Sequence, residues 1–281
     1  MKTLEELATI TTTDISDVLP KIIIDQVEEA ARPKRVARNL VRINRDLVKT
    51  KGRSIFVPKR GTLTASDVSE GSTLTPSKPS SVYETVEIIP KKVGVGVAIT
   101  QEAIDGVELD VVNDLINEAG EALAQKEDLD IRDKFLAPGA AGSTITASTP
   151  GVLSYEDIIA ARSAVLQNDF NPQILVIHPD QEGDLLKDDR FIDASKFGDR
   201  EPILNGQIGK IAGLKVLVST NMTSGTALVV DPDRAAWMAI KRETDLKRKE
   251  EPSTDSVELY FYREYGVEVV NPGAVAVITG C

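Results

Sequence analysis

Ser54-Ile55-Phe56-Val57-Pro58 is a short strand-like run, and Tyr83-Glu84-Thr85-Val86-Glu87-Ile88-Ile89 is a second. Between them, Gly61 to Ser81 holds ten Ser or Thr among 21 residues and almost no apolar material. Just beyond, Val93-Gly94-Val95-Gly96-Val97-Ala98-Ile99 alternates large residues with small ones. A long polar excursion with no core of its own is uncommon inside a compact domain unless it has a task. The pattern predicts a two-stranded arm that lies on something else, most simply another copy of the same chain. Pro58, Pro76, Pro79 and Pro90 fall where ladder hydrogen bonds cannot continue, which suits edge strands. In the alternating run the valines face one way and the glycines the other, so another element can approach the small face closely.

On the N-terminal side, residues 1–50 read as an arm. Leu4, Leu7, Ile10, Val18, Ile22, Ile23 and Val27 have helical spacing but make only a narrow stripe. Pro33 interrupts it, and Val36, Leu40, Val41, Leu47 and Val48 continue it weakly. Such segments gain stability by burying the stripe against a body. Charge is uneven. Arg32 to Arg60 carries eleven Lys or Arg and a single acid, Asp46, so it holds +10 of a chain whose net charge is −11, leaving −21 elsewhere. The segment reads as a solvated face with snorkelling side chains, as a dock for an acidic neighbouring subunit, or as a nucleic-acid contact. The acidic body argues against a dedicated nucleic-acid module, which needs a dominant basic face.

On the C-terminal side, Thr100 can cap a turn over Gln101 to Asp105, and residues 109–136 read as one long helix. Val112, Leu115, Ile116, Ala119, Leu123, Leu129 and Phe135 supply its stripe, and Ala137-Pro138-Gly139 stops it. Its other faces are acidic, with Asp110, Asp114, Glu118, Glu121, Glu127, Asp128 and Asp130. Gly139 to Gly151 reads as a small-residue loop. Ser154-Tyr155-Glu156-Asp157 resembles a capping box opening a helix through Leu166. Gln173 to Pro179 reads as a short buried strand, followed by a helical turn through Leu185 and Leu186. Further strands are expected over 211–218, 227–232, 236–240, 257–263 and, broken at Asn271-Pro272-Gly273, 267–279.

Catalysis finds little support. His178 is the sole histidine and sits at a strand end, where backbone contacts satisfy it. Cys281 is the sole cysteine, which excludes an intrachain disulfide and points to folding in the cytoplasm. Clustered metal ligands are lacking. Asp188-Asp189 and Asp231-Pro232-Asp233 leave a carboxylate-dependent enzyme as a minor alternative, with solvated turns the simpler account. Gly94-Val95-Gly96 lies inside a strand and is no phosphate loop. No apolar run reaches the roughly 18 residues a membrane helix needs.

Four stretches in order resemble the tailed-virus major capsid proteins of the Hong Kong 97 fold. They are Glu70-Gly71-Ser72-Thr73-Leu74-Thr75-Pro76 leading to Val97-Ala98-Ile99-Thr100-Gln101-Glu102; the acidic helix ending Ala124-Gln125-Lys126-Glu127-Asp128; Val176-Ile177-His178-Pro179-Asp180 with Leu185-Leu186-Lys187-Asp188; and Ile211 to Val218 with Asn271-Pro272-Gly273-Ala274. Together they cover most of residues 50–281. The resemblance implies an α+β fold: an N-terminal arm (1–50), an extended β-hairpin loop (51–90), a peripheral domain (91–144 and 241–265) with a spine helix over 109–136, and an axial α/β domain (145–240 and 266–281).

What the resemblance implies for function is self-assembly into pentamers and hexamers that close an icosahedral shell around double-stranded DNA. No cofactor, metal or membrane is involved, and DNA is held non-specifically. With about 50 residues before the loop, a fused scaffolding segment is not expected, so a separate scaffolding protein, or none, is expected, together with a portal. The location is the virion capsid, assembled in the host cytoplasm. An encapsulin-like compartment enclosing protein cargo is the alternative. Some relatives crosslink a loop lysine to an asparagine; Lys59 or Lys78 could serve, but Ser253-Thr254-Asp255-Ser256 offers no asparagine, so non-covalent contacts are expected. The candidate intersubunit contacts are Arg38, Arg42, Lys59, Arg60, Glu70, Lys78, Glu118, Glu121 and Asp128.

Overall fold

A computed structural model of the chain describes residues 24, 27, 36–48, 52–60, 65, 67–71, 73, 83–100, 110–187 and 209–281. Contacts divide it into two units. Among the described residues, one is built from 92–127 and 242–264, and the other from 36–91, 128–241 and 265–281. Most of the N-terminal arm, most of the loop tip, the turn over 101–105 and Asp188-Asp189 lie outside the described residues.

The first unit is a helix on a sheet. The long helix α1 (Asp110–Leu136) runs through it and continues into the second unit from Asp128. Ile116, Ala119 and Leu123 sit at helical spacing on α1 and pack against Leu259 and Phe261 of a strand running Ser256–Val269. Val93, Val95 and Val97 of the strand Lys91–Thr100 join the same core, as the alternation predicts. The glycines face the other way. A Cβ on Gly94 would stand 2.6 Å from the Tyr262 ring, and one on Gly96 would stand 3.0 Å from Tyr260. The two tyrosine rings stack at 6.2 Å across those missing side chains, the arrangement by which aromatics cover strand glycines.

The second unit is an α/β layer. Its sheet has six strands in the order β5 (Ser143–Thr146), β12 (Val275–Thr279), β9 (Thr226–Val230), β6 (Ile174–Ile177), β8 (Leu214–Val218) and β7 (Lys210–Ile211). β6 is buried at all four positions, as its unbroken apolar run requires. Helix α2 (Tyr155–Gln167) lays Ile158, Ala161 and Val165 on Leu175, Val229 and Ile278. Helix α3 (Pro179–Lys187) adds Leu185.

The capping box is present. Ser154 accepts from the Asp157 amide, and Asp157 accepts from the Ser154 amide at 3.2 Å. The Asp157 carboxylate also takes the Ser154 hydroxyl at 2.7 Å, the Ser148 hydroxyl at 2.6 Å and the Ser148 amide at 3.0 Å. Burial pushes its pKa up, but these hydrogen bonds outweigh burial and hold the carboxyl below its ordinary value. A depressed folded pKa contributes stability above the unfolded value of about 3.9 that is lost as pH falls through the folded one. Asp157→Asn should therefore lower the melting temperature at pH 7, with a cost of about 2 kcal/mol. The gap to wild type should close as pH is lowered past about 4 in a thermal denaturation series.

Four segments depart from the sequence reading. The loop over 139–151 contains β5, an edge strand that β12 pairs in parallel register, Ser143 opposite Ala276. The run 211–218 is a hairpin, because Ala212 (φ 50°) and Gly213 (φ 80°) both adopt left-handed backbone. The strand expected to end at Ile240 continues as β10 (Ala236–Glu251), through a charged stretch that β11 (Ser256–Val269) pairs. Residues 36–48 are two 3₁₀ turns and β1 (Arg42–Asn44), with Arg42 opposite Trp237 in a parallel pairing with β10.

Candidate assembly surfaces

The arm begins as a real hairpin. β2 (Ile55–Arg60) and β3 (Tyr83–Ile88) are antiparallel, with Ile55 opposite Ile88 and Val57 opposite Val86. That face rests on Leu47, Ala239 and Val270. The other face is open: Phe56 is 62% exposed. An apolar ring this free is unusual on a hairpin that already has one buried face. The described residues of the tip, Ala65, Asp67 to Gly71 and Thr73, are all exposed.

The nine candidate contacts fall in different settings. Lys59 sits across the ladder from Glu84, and its ammonium meets that carboxylate at 3.4 Å. Arg60 ends β2 opposite Tyr83. Glu70 is exposed on the tip, and Lys78 lies outside the described residues. Arg38 is half-buried in a 3₁₀ turn. Arg42 is exposed, its guanidinium 4.6 Å from the centre of the Trp237 ring. Glu118 and Glu121 are exposed on α1.

Asp128 does not belong with them. It is 1% exposed and accepts the Val36 and Ala37 amides at 3.0 and 3.1 Å. It tethers the first 3₁₀ turn within its own unit and is no part of an open acidic face. Charge count alone could not separate it from Glu118, but its place on the helix could. Asp128 follows the 116, 119/120, 123, 127 stripe by a single position.

The structure also shows charged residues that a reading by charge alone overlooks. Arg263 is 1% exposed and donates to Glu127, which is 0% exposed, at 2.7 Å, and to Glu243 at 3.3 Å. Two periodicities contain the signal. Val257, Leu259, Phe261 and Arg263 share one strand face, and Ile116, Leu123, Glu127 and Ile131 share one helix face.

Chemistry-bearing residues are occupied with structure. Asp231 is buried and accepts the Asn171 and Asp233 amides, each at 3.1 Å, so it staples a turn and is not solvated. His178 Nδ1 accepts the Asp180 amide at 3.3 Å. Cys281 is buried, with the Gln181 amide nitrogen 2.9 Å from its sulfur, and burial pushes its thiol pKa up. Among the described residues no cluster of metal-binding side chains exists and no helix is long and apolar enough to cross a membrane.

A long helix on a glycine-backed sheet, an α/β layer and a hairpin with one exposed face together define the Hong Kong 97 class of shell-building proteins. Solved structures agree on that fold. One from Mycobacterium phage Che8 superposes with TM-score 0.71 at 18% identity, over 87% of this chain and 90% of that one. The capsid structure of the cyanophage P-SCSP1u gives 0.69 at 17%, over 86% of each. The virus-like particle from Pyrococcus furiosus gives 0.61 at 17%, over 92% of this chain and 99% of that one. A search of curated sequences finds no match. Residues 83–278 match the family described as phage capsid protein, and the chain belongs to that family. Its role is structural, as a subunit of a capsid shell, and not enzymatic.

Proposed function

We propose that this is the major capsid protein of a tailed phage, forming pentamers and hexamers that close an icosahedral shell around double-stranded DNA. The observation that carries the reading is the family match over residues 83–278, two-thirds of the chain, joined to a hairpin whose outer face is bare. In this reading the peripheral domain is built on α1 and β10–β11, and the axial domain on the six-stranded layer. Heterologous contacts close into rings, and the rings tile the shell. The hairpin lies over a neighbour, burying Phe56. Arg38, Arg42, Lys59, Arg60 and Lys78 face acids of an adjacent copy, among them Glu70, Glu118 and Glu121. Asp128 is withdrawn from that set. Assembly takes place in the host cytoplasm with a separate scaffolding protein and a portal, and packaged DNA is held without sequence preference.

Electron microscopy of purified recombinant protein tests this directly. Closed particles are expected, and their yield should fall as salt rises toward 1 M, where exposed charges are screened within about 3 Å. A concentrated sample that stays a single-subunit species would overturn the reading. The likeness to the Pyrococcus furiosus virus-like particle, which spans 99% of that chain, favours as a second reading an encapsulin-like compartment. Particles from the native source that hold protein cargo and no DNA would establish it.

A further inference from the structure

A cleft of about 1050 Å³ opens in the second unit beside the root of the hairpin. Trp237, Phe170 and Pro58 form apolar walls, and Arg42, Lys59 and Arg234 supply cations. Lys59 is engaged by Glu84. Among the described residues neither guanidinium is engaged by a carboxylate: Arg42 stacks on the Trp237 face, and the bonds at Arg234 use its backbone N–H and carbonyl. A guanidinium stacked on an indole presents its N–H edge outward, in the fork geometry that grips a carboxylate through two hydrogen bonds.

The wall chemistry selects the occupant. Asp169 and Asp233 also line the cleft, which leaves its five charged residues with a net +1. A nucleic-acid backbone, with a charge at every phosphate, is poorly served by so small an excess and by apolar walls. A peptide with one or two carboxylates flanking an apolar residue is well served. The chain carries such a stretch in full view. Asp67-Val68-Ser69-Glu70 is exposed throughout, with Val68 51% exposed, and neither acid meets a cation among the described residues. These acids are not seated in their own subunit's cleft.

We propose that the cleft receives Asp67–Glu70 from the hairpin tip of a second copy, with Arg42 and Arg234 gripping the two carboxylates and Val68 packing on the apolar wall. This deepens the shell reading above and rests on it, by naming where the arm's tip docks.

A charge-swap experiment on the full chain tests it. Arg234→Glu, alone and with Arg42→Glu, should cut the yield of closed particles by ~10-fold or more. Asp67→Arg with Glu70→Arg should do the same. Combining the two sets should restore particles. Among the described residues the Arg234 side chain makes no bond, so its variant should keep the wild-type melting temperature and decides the matter if Arg42→Glu disturbs Trp237. Normal particles from the Arg234→Glu, Arg42→Glu pair overturn the proposal while leaving the shell reading intact, as does a failed rescue. Normal particles with reduced DNA content overturn it in favour of a nucleic-acid site. Wild-type protein that never assembles overturns the shell reading and this proposal with it.

Discussion

Replacing Arg263 with alanine should destabilise the subunit by about 3–5 kcal/mol, because the sealed Glu127 carboxylate loses the guanidinium 2.7 Å away. Both side chains are essentially sealed from water, at 1% and 0% exposure. Domains of this kind are stable by only about 5–15 kcal/mol in total, so the variant should give little soluble protein and a sharply lowered melting temperature. Glu243, the second acid on Arg263, is 41% exposed and carries the same charge as Glu127, so it cannot take the place of the guanidinium. The pair itself need not be a net stabiliser. Arg263→Met combined with Glu127→Leu should recover most of the loss, because two apolar side chains in place of a buried ion pair are often neutral or better. Thermal denaturation of dissociated subunits measures both. A single variant that melts within a degree or so of wild type would mean that water or backbone groups satisfy Glu127 unaided.

Removing the hairpin tip should abolish closed shells while leaving the subunit folded. Arg60 and Tyr83 are paired across the ladder, so residues 61–82 can be replaced by Asn-Gly, the two-residue turn that matches strand twist. The described residues of that segment, Ala65, Asp67 to Gly71 and Thr73, are all exposed and belong to no core cluster. Val57 and Ile88 keep their seats beside Leu47, Ala239 and Val270. The melting temperature of the isolated subunit should stay within a few degrees, and sedimentation should show small species alone. The effect is all-or-none because each subunit loses the same contact, and a loss repeated by symmetry multiplies across a closed shell. Normal particles from this variant would remove the arm's assigned role.

Much of this was legible in particular residues. The alternation Val93 to Ile99 announced a strand with one small face, and Tyr260 and Tyr262 lie over Gly94 and Gly96. Ser154 with Asp157 announced a helix start, and the bonds are there. The apolar stripe of α1 announced its buried side, and the order of motifs announced the class of shell. The acids were harder. Asp128, Glu118 and Glu121 are alike in composition, yet one is sealed beneath the Val36 and Ala37 amides and the others are in water.

Sequence by itself therefore determined what short-range periodicity can encode: the long helix, the capped helix and the alternating and fully apolar strands, with the apolar face of each. Tertiary structure alone decided what depends on a distant partner. Ser143–Thr146 becomes a strand because β12 lies beside it, and 241–251 stays extended because β11 pairs it. Arg42 meets Trp237 only because β1 and β10 run side by side. A backbone ladder and a stacked cation both need two segments far apart in the chain, and no local pattern records where the second one will come to rest.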